Sequence, residues 1–251
     1  MKKAISYFTI GLLAYSFFLV SSVPATVVWK YAPIVNNVDV KDLSGSLWSG
    51  SAQSVTVQGI TVNNVQWDFD LPALLSAKLG MNISVGQARS PIYAKGQLEF
   101  NGQTLKIDDL FVSSSLEHIQ TLVDIPVPAQ ISGHLSLKAT QLVLTKAGCA
   151  SLDGQLNLQQ GTVNTPFAQL DIGQINSTLS CNTQKLMAQI EQRSAMFDSK
   201  GALELMPNGH YKISSTVKPS ESVSKNIVQG LSFMGKDNGE GIYNFDFNGR
   251  I

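Results

Sequence analysis

Three histidines, His118, His134 and His210, are the first candidates for acid–base or metal chemistry. They lie far apart, and none has an acidic or histidine partner four residues away. No H-E-x-x-H zinc helix, G-x-S-x-G nucleophile turn or phosphate loop occurs in the chain. Asp68 and Asp70 sit two apart in an alternating stretch, so their carboxylates share one strand face. Such a pair suits proton transfer or calcium, but a solvated strand face accounts for it without further ligands. Asp237-Asn238-Gly239 matches part of a calcium loop; Lys236 and the missing ligand positions make it a plain turn. Asp108-Asp109, after Ile107, reads as the end of a strand. The residues therefore point to no catalytic group, no metal site and no cofactor.

Cys149 and Cys181 are the only cysteines, too far apart for a C-x-x-C redox or zinc pattern. In an oxidising compartment a pair of this kind forms a bridge. In the chain-entropy description it contributes about 3.5–4 kcal/mol, less any strain.

The most distinctive short run is Gly45-Ser46-Leu47-Trp48-Ser49-Gly50. An indole between glycines suits a place where backbones approach closely, and equally an exposed anchor for a partner. Packing is the preferred reading, with Trp67 as the second tryptophan of the same region.

The elements that would position these residues are mostly strands. Val65, Trp67, Phe69 and Leu71 alternate with Gln66, Asp68 and Asp70, giving one apolar and one polar face. Leu98-Glu99-Phe100, Leu105-Lys106-Ile107, Leu135-Ser136-Leu137, Leu142-Val143-Leu144, Leu156-Asn157-Leu158, Leu203-Glu204-Leu205, Tyr211-Lys212-Ile213 and Tyr243 to Phe247 repeat the pattern. Val65, Trp67, Phe69 and Leu71 are expected to share an interior with Leu98, Phe100, Leu135 and Leu137. Asn101-Gly102 and Asn208-Gly209 predict hairpins in which Asn and Gly take the positive φ of primed turns. Gly-x-Leu-x-(Leu/Phe) recurs at Gly96, Gly133, Gly154 and Gly201, too irregularly for a solenoid, and reads as turn chemistry before strands. Helical pattern is confined to Pro72–Leu79, Ser113–Leu122 and Ser220–Met234, the last with Val223, Ile227, Leu231 and Met234 on one stripe. The fold class is mainly β: one large curved antiparallel sheet, either folded on itself or a half-barrel, with a few short helices.

The composition is 43% hydrophobic and only 14% charged, and the formal net charge is zero. A neutral chain without basic runs lacks the surface that neutralises phosphates, which argues against nucleic-acid partners. Lys2 and Lys3 precede an uncharged stretch from Ala4 to Pro24. About 20 helical residues span the roughly 30 Å of a bilayer's hydrocarbon core. The leading lysines favour a cytoplasmic amino terminus and an exported remainder, and Trp29 and Tyr31 suit the far interface. Val23-Pro24-Ala25 also fits a signal-peptide cleavage site; the length of the apolar run favours a retained anchor. The expected organisation is a membrane anchor over residues 1–25 and an exported β domain over 26–251, which the resemblance below implies is periplasmic.

Leu43 to Gly50, with its G-x-x-W-x-G core, resembles the type II secretion system protein N family (GspN). Val65-Gln66-Trp67-Asp68-Phe69 running into Leu71-Pro72-Ala73-Leu74-Leu75, the spaced cysteines, and the end from Gly230 through Gly235, Asp237, Gly239, Gly241 and Tyr243 to Gly249-Arg250 are similar as well. The resemblance implies a single-pass inner-membrane protein with its domain in the periplasm. It would be a non-enzymatic accessory of the apparatus that moves folded proteins across the outer membrane, with other secretion components as partners. Gly45, Trp48, Gly50 and Trp67 carry over as family positions, structural or partner-docking. The architecture also looks like that of AsmA-type proteins, which implies the alternative of a lipid- or lipoprotein-handling module with acyl chains in an apolar groove.

Overall fold

The computed structural model describes residues 7, 11–12, 15, 18–19, 21–31, 38–57, 59–74, 76–87, 90–122, 129–165 and 168–250. Fourteen strands form one antiparallel sheet in which neighbours in sequence are neighbours in space, apart from a final swap, β12-β14-β13. They are β1 (Val38–Gly45), β2 (Ser49–Val57), β3 (Ile60–Asp70), β4 (Leu79–Val85), β5 (Ile92–Phe100), β6 (Thr104–Ser115), β7 (Gln130–Thr145), β8 (Gly148–Asn164), β9 (Gln169–Asn182), β10 (Lys185–Arg193), β11 (Phe197–Leu205), β12 (His210–Pro219), β13 (Lys236–Asp237) and β14 (Tyr243–Arg250). After Pro24, four helices are appended among the described residues: α1 (Ala25–Tyr31), α2 (Leu71–Leu74), α3 (Leu116–Leu122) and α4 (Lys225–Met234). At a strand spacing of about 4.8 Å the sheet is roughly 60 Å across.

Registry keeps the aliphatic residues on one face from edge to edge. One cross-strand row runs Leu43–Ala52–Val65–Val85–Ala94–Val112–Leu137–Leu156–Ser177–Ile190–Gly201–Ser215–Phe245. A second runs Phe69–Met81–Leu98–Ile107–Leu142–Leu152. The expected common face of Val65, Trp67, Phe69, Leu98, Phe100, Leu135 and Leu137 therefore forms. Leu71 leaves it, because the chain turns into α2 at that residue and exposes it.

Bulges preserve this face where strict alternation would lose it. Leu105 and Ile107 are odd-numbered, whereas the next inward residues, Leu110 and Val112, are even. Asp109, at φ 50°, absorbs the extra residue opposite Gly96. A bulge inserted in a strand shifts every later side chain to the other face. Asp108-Asp109 thus lies inside a 12-residue strand and does not end one. Gln160, at φ 54°, does the same between Leu158 and Gly161.

The hairpins form, but their chemistry differs from the primed turns expected. Only Gly102 (φ 89°) and Gly209 (φ 81°) are left-handed. Asn101 Oδ1 instead accepts from the backbone N–H of Gln103 and Thr104, and Asn208 Oδ1 from that of His210. The recurring glycines are not turn residues either. Gly96, Gly154 and Gly201 sit mid-strand on the apolar face, and a Cβ on Gly96 would lie 3.5 Å from Ile107 and Leu110. Helices are shorter than expected: α2 ends at Leu74, Ser113–Ser115 belong to β6, and α4 starts at Lys225.

Candidate functional site

No second layer covers the apolar face among the described residues. Among the described residues no large side chain is fully buried, and most of the row residues are half-buried. The accessible surface is 16814 Å², against about 10,900 Å² for a compact monomer of this mass. The difference, about 5,900 Å², is what a single open layer leaves exposed on its two faces and its edges. An open depression of about 1080 Å³ crosses β2 to β7, but it is no apolar groove: Gln66, Asp68, Asn82, Ser84, Lys95 and Lys138 of the polar face line it beside Trp67 and Ile83. A smaller one, about 380 Å³, is likewise mixed, with Gln189, Glu191, Lys200, Thr216, Asn244 and Asp246 beside Ile190 and Phe245. The opposite face is a solvated polar ladder with ion pairs such as Lys78–Glu99 (3.0 Å) and Lys106–Asp108 (2.7 Å).

The Gly45–Gly50 run is the turn joining β1 to β2, and it folds onto the apolar face. Gly45 is left-handed at φ 86°, and a Cβ there would meet Ser49 O at 2.6 Å. Trp67 donates from Nε1 to Leu47 O at 3.0 Å. A Cβ on Gly50 would lie 2.5 Å from the Trp67 ring, so only glycine fits beneath the indole. Trp48 meets Phe69 edge-on at 6.0 Å between centroids, and its carbonyl accepts from Phe69 N–H at 2.6 Å. Both tryptophans are thus engaged in internal packing that covers one end of the face.

The outer side of this turn holds the amino-terminal segment. Leu47 N–H donates to Val23 O at 3.0 Å, Pro24 bridges Ser46, and Ala25 is buried. Most of the stretch read as a membrane anchor, residues 4–24, lies outside the described residues. Among those described, no helix is long and apolar enough to cross a membrane. Beyond Pro24, α1 exposes Val27 and Trp29.

Cys149 and Cys181 form a disulfide between β8 and β9, with Cα atoms 5.6 Å apart. It ends the face in line with Leu144 on one side and Leu186 on the other. Sequence reasoning missed one polar contact: Ser113 Oγ lies 2.9 Å from His134 Nε2 across β6 and β7. No carboxylate bonds the ring among the described residues, so the group that orients a base in a hydrolytic triad is missing there. His118 and His210 do not join it. Nor do the described residues bring three or more His, Cys, Asp or Glu into a metal-binding group. Asp68 and Asp70 are exposed on the polar face, and Asp237 Oδ1 accepts from Gly239 N–H within a plain turn.

These features define a class of protein built on one open antiparallel sheet, tied by its first turn to an amino-terminal segment. The family model described as type II secretion system (T2SS), protein N, matches residues 36–246. The chain belongs to that family. It is similar to type II secretion system protein N of Aeromonas hydrophila, 29% identical over 253 residues and covering 100% of both chains. The protein of the same name from Vibrio cholerae serotype O1 is 27% identical over 256 residues, again with 100% of both covered. That of Pectobacterium carotovorum subsp. carotovorum is 26% identical over 243 residues, covering 95% of this chain and 94% of the relative. No solved structure matches.

Proposed function

We propose that this protein is a non-enzymatic accessory component of the type II secretion system, anchored in the inner membrane with its sheet in the periplasm. It docks another envelope protein of the machine on its apolar face during export of folded proteins across the outer membrane. The observation that supports this best is the uncovered apolar face itself. A face of that size is unfavourable in water, and protein interfaces are the common means of covering one. The seat of Val23, Pro24 and Ala25 on the β1–β2 turn favours a retained anchor, since cleavage after Ala25 would remove the chain's own partner for Leu47. The disulfide fits an oxidising compartment.

A second reading, lipid or lipoprotein handling, is favoured by one specific observation. The apolar row runs from β1, beside the amino-terminal segment, to Leu156 in β8, before Ser177, Gly201 and Ser215 interrupt it. An acyl chain leaving the bilayer would meet apolar side chains along that course. Photo-crosslinking groups at Ile83 and Ile190 in producing cells separate the two. Protein adducts support docking; adducts of lipid mass support the second reading.

A further inference from the structure

The two edges of the sheet differ. β1 is interrupted by left-handed Asp42, a twist that discourages further pairing, and its Asp39 and Lys41 already lie 4.0 Å apart within one chain. β14 is guarded much less. β13 covers it only at Tyr243 and Asn244, and among the described residues no other strand pairs with the outer backbone of Phe245 to Arg250. Around that edge lie the most exposed large apolar residues of the carboxyl half: Phe233 (83% exposed), Met234 (68%) and Phe247 (51%).

We propose that β14 pairs with β14 of a second copy of this chain, antiparallel, about a twofold axis at Asn248. The argument is charge complementarity in one register. With Asn248 opposite Asn248, Asp246 of each copy faces Arg250 of the other on the polar face. Neither residue forms an ion pair in its own chain among the described residues. Arg250 has His210 opposite it on β12 and Lys212 diagonal to it, so its own sheet offers no carboxylate there. On the apolar face Phe247 lands opposite Gly249 of the other copy. Its neighbour across Gly249 is Tyr211, whose ring already lies over that glycine. Aromatic cross-strand neighbours and opposite charges are both stabilising in this arrangement. A shift of one pairing step that aligned Phe247 with itself would set Arg250 against Asn244, where Lys236 of β13 is already bonded. A shift the other way pairs Arg250 with Asn248 and loses both charge contacts. The dimer would join two apolar faces into one and is independent of what covers them.

The test uses the full-length protein in its own membrane vesicles. The native cysteines are tied to each other, so an introduced cysteine is the only free thiol. Asn248→Cys should crosslink to a covalent dimer under mild oxidation, and Asp39→Cys at the other edge should stay monomeric. Both positions are exposed, so neither substitution disturbs packing. Asp246→Arg or Arg250→Asp alone should lower the yield of Asn248→Cys dimer about tenfold through like-charge contacts. The two together should restore it. Equal crosslinking at Asn248 and Asp39, no dimer at Asn248, or no recovery in the double swap would overturn the proposal.

Discussion

Trp67 and Gly50 are paired across β2 and β3, and the indole occupies the space any side chain at position 50 would need. Gly50→Ala should therefore force the ring or the Ser44 carbonyl to shift, at a cost of about 1–3 kcal/mol. Trp67→Phe keeps much of the ring but leaves the Leu47 carbonyl without its donor, costing about 1 kcal/mol. Trp67 is half-buried, so Trp67→Ala should cost about 2 kcal/mol, below the 3–5 of a fully enclosed aromatic. Denaturant unfolding of the three variants gives the order; a Trp67→Ala loss above 4 kcal/mol would mean the face is closed.

Asp109 should be sensitive to shape rather than to charge. Its left-handed backbone suits Gly or Asn, so Asp109→Asn should leave stability within about 0.5 kcal/mol. Asp109→Val places a β-branched residue at φ 50° and should cost about 1–3 kcal/mol. Thermal unfolding of the two variants checks this; equal stabilities would mean the bulge has moved.

The Cys149–Cys181 bridge closes a separation of 32 residues. Replacing both by alanine should lower stability by about 3–4 kcal/mol, chiefly by freeing the unfolded chain. Non-reducing peptide mapping must first find the two peptides joined. Free thiols in protein taken from the periplasmic face would refute both the bridge and the compartment.

Much of this fold was legible because its apolar face is written locally: two-residue alternation marked nearly every strand, and the paired cysteines marked their bridge. What escaped was anything that depends on register. Asp109 looked like a strand end because a bulge and a terminus both interrupt alternation. Gly96, Gly154 and Gly201 looked like turns because a glycine's effect on the wall of a face shows only once its cross-strand partners are known. The role of Gly45, Trp48, Gly50 and Trp67 was half legible. Their types announced close packing, but Val23 as the occupant of the turn's outer side has no sequence signal. Ser113 and His134 are 21 residues apart and meet only through the β6–β7 register.

Retention of the anchor belongs to the proposed function, and the mass of the protein tests it. The membrane-extracted protein should have the mass of an uncleaved chain. Removing residues 1–25 should destabilise the β1–β2 turn, read as faster amide exchange at Leu47 and Ser46. A mature chain that starts at Thr26 would contradict it.

The central claim, that the apolar face is covered by a protein partner, is tested most directly by crosslinking in secreting cells. A photo-reactive residue at Ile83 reports on the apolar face, and one at Asn82 on the polar face of the same strand. The expected result is a protease-sensitive adduct of defined mass from Ile83 and none from Asn82. Only lipid-mass adducts from Ile83, or equal protein adducts from both positions, would contradict it.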